Sequence, residues 1–125
     1  MTKTTVLAIG IDPVFVDYTT MPQFTPEMFR GYIDAQITGL RDLGYDVVSC
    51  LIDLGDTAEE TTIDALHAKR FDCVVIGAGL RLPPERLLLF EKIINLVHEF
   101  APEAAICFNT SPADTADAVR RWCEP

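Results

Sequence analysis

Three short stretches hold the residues best suited to chemistry. The first is Gly77-Ala78-Gly79-Leu80-Arg81, two glycines and a cation directly after the apolar run Cys73-Val74-Val75-Ile76. Glycines placed there bring backbone N–H groups close to a ligand, and an arginine can grip a phosphate or carboxylate through paired hydrogen bonds. The second is Asp12, a hydrogen-bond acceptor that follows the run Thr5 to Ile11. The third is Asn109-Thr110-Ser111, which follows Ala104 to Phe108 and leads into Pro112 and Asp114. Ser111 suits a helix cap, and a capped helix start favours an anion. Asp12, Gly77, Gly79, Arg81, Asn109, Thr110 and Ser111 are therefore the candidate ligand contacts. Asp17, Tyr18, Thr19 and Thr20 add further polar groups nearby in sequence.

Other chemistries fit less well. A dinucleotide fingerprint G-x-G-x-x-G fails because residue 82 is leucine, and the glycines follow the third apolar run instead of the first. No Walker A sequence occurs. Asp12 as a phospho-acceptor lacks the companion acids and the lysine such sites use, so a turn or cap role suits it better. Acyl transfer would need a nucleophile on a sharp turn with a histidine beside it, and G-x-S-x-G is missing. His67 and His98 read as solvated helix residues. Glu91, Asn95 and His98 share one helix side, but a single histidine there does not make a metal site. The four cysteines are Cys50, Cys73, Cys107 and Cys123, and no pair has metal-ligand or redox spacing. Three read as buried small hydrophobes; Cys123 is the one candidate reactive thiol. The sequence names no cofactor and no metal.

These stretches need elements to position them. Thr5 to Ile11, Asp46 to Leu54, Phe71 to Ile76 and Ala104 to Phe108 are short apolar runs without strict alternation, the pattern of strands buried on both faces of a parallel sheet. Helices are expected between them. Thr25-Pro26-Glu27 opens the first, with Thr25 as cap, Pro26 at the first position and Gly44 as its terminal cap. Gly31 and Gly39 inside it suggest close packing on the sheet. Thr57 and Glu60 fit a capping box for a second helix to Lys69. Leu82-Pro83-Pro84-Glu85 starts a third, with a broad apolar face, and Pro112 to Cys123 forms a fourth. The expected architecture is α/β, three-layer α/β/α, with a four-stranded parallel sheet in order 2-1-3-4, Rossmann-like or flavodoxin-like in type. Residues 1–125 read as one such domain. Helices one and four cover one face, two and three the other. The chain reverses between strands one and three, so a crevice is expected where Asp12 meets the Gly77 to Arg81 loop. The Asp12 to Phe24 segment is long and apolar for such a connection and is a candidate lid.

Composition removes several classes of function. With 125 residues and 49% hydrophobic content, the chain is large and apolar enough to build a core unaided. A net charge of −9 opposes binding to nucleic acid or to an anionic membrane. The apolar run Leu87 to Phe100 is broken by charged and polar residues, so no membrane span is expected. The start, MTKTTVLAIG, lacks a cleavage pattern and reads as a first strand, which points to a cytoplasmic protein. The expectation is a protein that binds a small anionic metabolite at the C-terminal edge of its sheet. One alternative is an enzyme acting on a phosphorylated or carboxylated metabolite. The other is a homodimeric assembly module, paired through helix three or the 12–24 loop.

Overall fold

A computed structural model describes residues 2–125. Four strands, β1 (Thr5–Ile11), β2 (Asp46–Ile52), β3 (Cys73–Ile76) and β4 (Ala105–Phe108), form one sheet in the order β2-β1-β3-β4. All three strand pairs are parallel. Between and after them lie α1 (Pro26–Asp42), α2 (Ala58–Ala68), a short turn α3 (Ala78–Arg81), α4 (Leu87–Phe100) and α5 (Thr115–Arg120). The helices pack on both sides, giving a three-layer α/β fold. No helix among the described residues is long and apolar enough to cross a membrane.

Alternation along the strands divides the core in two. Leu7, Ile9 and Ile11 of β1 face α2 and α4, where Cys50, Ile52, Leu66, Val74, Ile76, Ile93 and Val97 join them. Val6 of β1 faces the other way, with Ile37 and Leu40 of α1, Val47, Cys73, Val75 and Val119 of α5.

Local chemistry explains most element ends. Thr25 accepts a hydrogen bond from the Met28 N–H, with Pro26 next to it, as the cap pattern requires. Gly44 ends α1 at φ +107°, a conformation that glycine adopts without steric cost. Three expectations need correction. Gly31 and Gly39 do not mediate close packing, since a Cβ at either would meet nothing within 4 Å. Thr57 makes no cap hydrogen bond; the carboxylate of Asp53 instead takes the Gly55 N–H and the Thr57 N–H and hydroxyl. The third long helix begins at Leu87, after a separate 3-10 turn at Pro84–Arg86. Pro83 and Pro84 supply no N–H donors, and Pro84 disfavours helical backbone at Pro83, which is extended at φ −65° and ψ 123°.

Candidate functional site

A cleft of about 550 Å³ opens at the C-terminal end of the sheet, on the face that α1 and α5 cover. Its size is that of a small-molecule site. It exists because the sheet floor shrinks while the helix above it does not follow. On this face β1 presents Val6, then Ala8, then Gly10, and the floor around them includes Ser49, Leu51, Val75 and Gly77. A Cβ built on Gly10 would meet only the Leu51 side chain, at 3.9 Å, so the space above Gly10 is open. Above the floor, α1 is 17 residues long yet buries only Ile37 and Leu40. Its earlier side chains, Phe29, Ile33 and Gln36, line the cleft as a roof.

The 13–24 segment completes that roof. Pro13, Val16, Asp17, Thr20 and Met21 line the cleft. The aromatic residues fasten the segment to α1, while Val16 packs on the core beneath: Phe24 and Tyr18 pack on Phe29 with ring centroids 5.2 and 5.8 Å apart, and Phe29 meets Tyr32 at 5.9 Å. Such tilted aromatic pairs each add a modest stabilisation, about 0.5–1.5 kcal/mol beyond the area they bury. The Tyr18 hydroxyl donates to the Pro13 carbonyl at 2.7 Å, closing the segment on itself.

The candidate contacts divide between two environments. Gly77, Gly79, Asn109, Thr110 and Ser111 line the cleft. Asn109 is buried and ties the rim together. Its Oδ1 accepts the Ala78 N–H at 2.8 Å, and its Nδ2 donates to the Thr115 hydroxyl at 3.0 Å. The amides of Thr110 and Ser111 are already occupied by the Asp114 carboxylate, and Ser111 caps Ala113 in a complete capping box. The protein's own carboxylate thus sits where an anion would dock on that turn. Burial works to raise the Asp114 pKa, but the hydrogen bonds from the Thr110 hydroxyl and from the Thr110 and Ser111 amides outweigh it and hold the carboxyl below its usual range.

Asp12 and Arg81 are not part of the lining. Asp12 accepts the Val14 N–H at 3.1 Å and pairs with Arg30 of α1 at 2.6 Å, so it caps the Pro13–Phe15 turn and anchors the roof. Arg81 donates to the Asn109 carbonyl at 3.0 Å and lies over the Phe108 ring, 5.5 Å from its centroid. Phe108 belongs to the α2/α4 side of the sheet, so this cation turns away from the cleft.

The cation that does line the cleft is Arg86. Its Nη2 donates to the Phe15 carbonyl at 3.2 Å. Glu85 and Asp17 line the same mouth. The Thr19 hydroxyl and amide, and to a lesser degree the Arg86 charge, hold the Asp17 carboxyl below its usual range against the opposing effect of burial. Inside, Gln36, Ser49 and Thr20 make no side-chain hydrogen bond among the described residues, and are open to a ligand. Ser49 was detectable as the one polar residue inside the apolar run Val47 to Ile52. The shrinking series Val6, Ala8, Gly10 was a second signal. Nothing local distinguished Arg86 from Arg81.

The lining contains no histidine, lysine or cysteine. His67 packs edge-on against Phe100 at 4.9 Å, remote from the cleft. Among the described residues no group of three or more metal-ligating side chains converges. Cys73 and Cys107 lie buried with sulfurs 3.5 Å apart, and the hydrogen bond between them, with burial, pushes the Cys73 thiol up. Cys123 is half-buried, donates to the Asp72 carbonyl, and is pushed up to about 11 by burial, then by Cys73. A thiol in that state is a weak nucleophile at neutral pH. The chain matches no known protein-family model and no curated protein sequence.

Proposed function

We propose that this protein binds a small organic molecule with an apolar body and an anionic group, in the cleft between the sheet and the first half of α1. The carrying observation is the floor of Ala8, Gly10 and Ser49 beneath a helix that stands off it, leaving about 550 Å³ lined mainly by apolar side chains. Arg86 is the cation for the anionic group. Gln36, Ser49 and Thr20 orient the remainder. Binding is favoured over catalysis because the lining carboxylates, Asp17 and Glu85, make no hydrogen bond to a lining hydroxyl that they could activate as bases.

The test is to narrow the cleft at its floor without disturbing the fold. Gly10 has no positive φ and has room for a side chain, so Gly10→Val is tolerated by the backbone. A screen of apolar carboxylates, amino acids and phosphates by thermal shift should find ligands for the wild type. At a hundred times its dissociation constant, a ligand adds about 2.7 kcal/mol, a rise on the order of 10 °C. Gly10→Val should keep or raise the midpoint of the free protein and reduce the ligand shift. A flat screen on the wild type, or an unchanged shift in Gly10→Val, would overturn the reading.

A second reading rests on a different observation. Leu88 is 78% exposed and Leu82 57%, with Leu87, Val14 and Phe15 also exposed. The Arg86–Phe15 hydrogen bond brings these two segments together. An exposed apolar patch of this kind suits self-association. Light scattering across a concentration series decides it: a monomer throughout ends this reading and leaves the cleft untouched.

A further inference from the structure

The mouth of the cleft carries charges of both signs that are not spent on one another. Arg86, Asp17 and Glu85 all line it. The four ion pairs among the described residues are Arg30–Asp12, Lys69–Asp46, Arg70–Glu103 and Lys92–Glu59, and none involves these three. Arg86 and Asp17 line the same mouth, and the Arg86–Phe15 hydrogen bond holds the arginine beside the segment that carries Asp17, yet the two form no ion pair. Asp17 uses Oδ1 for the Thr19 amide and hydroxyl, which leaves Oδ2 free. Arg86 uses Nη2 for Phe15, which leaves Nη1 free. A gap between opposite, unpaired charges is filled best by a group that carries both signs itself.

We propose that the ligand's charged end is zwitterionic, an α-amino acid headgroup with a large apolar side chain. This inference rests on the cleft reading above and narrows it. The ligand carboxylate meets Arg86, in a charge-assisted hydrogen bond. The ligand ammonium meets Asp17 Oδ2 and Glu85. The side chain lies between Phe29 and Ile33 above and Ala8 and Gly10 below. A simple carboxylate leaves Asp17 and Glu85 facing its own negative charge, and a simple amine leaves Arg86 facing its positive charge. Each mismatched analogue therefore binds less well than the amino acid, which suffers neither repulsion.

Calorimetric titration of the full chain separates these cases. The probes are L-leucine and L-phenylalanine, their deamino analogues 4-methylpentanoate and 3-phenylpropionate, and the amines 3-methylbutylamine and phenethylamine. At least one amino acid should bind tenfold or more tightly than both of its analogues. Asp17→Asn, which keeps an oxygen acceptor for Thr19, should weaken the amino acid about tenfold and leave the carboxylate unchanged or improved. Arg86→Met should weaken both. Carboxylates that bind as tightly as the amino acids would overturn the zwitterion assignment while sustaining the cleft reading. Absence of binding by all six probes would overturn the assignment, and a flat response to the wider screen as well would remove the cleft reading with it.

Discussion

The two faces of the sheet are built from the same strands and end differently. Toward α2 and α4, successive β1 side chains are Leu7, Ile9 and Ile11, all buried, and α4 lies against them through Ile93 and Val97. Toward α1 and α5, the alternate positions run Val6, Ala8, Gly10, and the covering helix is fully buried only at Ile37 and Leu40, with Ile33 half-buried beside them. One face is filled to the rim; the other is filled at the N-terminal end and hollow at the C-terminal end. A parallel sheet needs both faces covered, but it does not need both covered to the same depth. The lesson is that a cleft can be made by subtraction, with methyl-sized floor residues, while the opposite face carries the stability.

The largest effect expected follows directly. Leu7→Ala, on the filled face, removes a side chain with no exposed surface and should cost about 2–5 kcal/mol, read by denaturant unfolding. Gly10→Val on the hollow face should cost nothing. Equal losses at the two sites would erase the distinction between the faces.

Asn109→Ala comes next. It leaves the Ala78 N–H and the Thr115 hydroxyl without their buried partner and should cost about 1–3 kcal/mol, with the loss concentrated at the cleft rim. Hydrogen exchange at Ala78 and around Thr110 should speed up while the α2/α4 face stays protected. Uniform acceleration would mean that the rim and the filled face unfold together.

Acid sensitivity belongs to the same rim. The pKa of Asp114 is below its usual value of 3.8 in the folded protein, so its stabilising contribution is complete above that value. It is lost as pH falls through the folded pKa, because the unfolded chain then binds the proton more readily. Asp114→Asn should lower the thermal midpoint at neutral pH and flatten its fall below about pH 4. Parallel melting curves for the two proteins across that range would remove Asp114 from the account.

The smallest effect is expected at the roof anchor. The Arg30 and Asp12 side chains are 48% and 30% exposed, so Arg30→Met should change stability by about 1 kcal/mol or less. Its interest is local: looser attachment of the Pro13–Phe15 turn to α1 should raise exchange at Val14 without altering the sheet.

How much of this could be read from the residues depends on the range of the interaction involved. The caps at Thr25, Gly44 and Ser111 follow from patterns a few residues long, the strand order and the division of helices between the faces from the alternation of elements and the handedness of crossovers, and the structure has them. Boundaries drifted at Leu54 and at Leu82, where turn geometry after a strand and a proline pair overrode the apolar pattern, and in the last helix, expected over Pro112 to Cys123, which is a 3-10 turn at Pro112–Asp114 followed by Thr115–Arg120. The capping of α2 by Asp53, not Thr57, is another local competition that composition alone left open.

By itself, then, the amino-acid order determined a four-stranded parallel α/β architecture and the end of the sheet at which its chain reversal lies, because hydrophobic period and helix-end chemistry act over one or two turns. The tertiary structure alone decided which groups face the cleft. Arg81 and Arg86 stand five positions apart, yet one is drawn to Asn109 and the ring of Phe108, and the other to Phe15 beside the cleft mouth. The depth of the hollow was decided the same way, by where α1 leaves the sheet. Both outcomes depend on contacts between residues far apart in the chain, and no local pattern encodes the direction a side chain takes when its partner is supplied by another element.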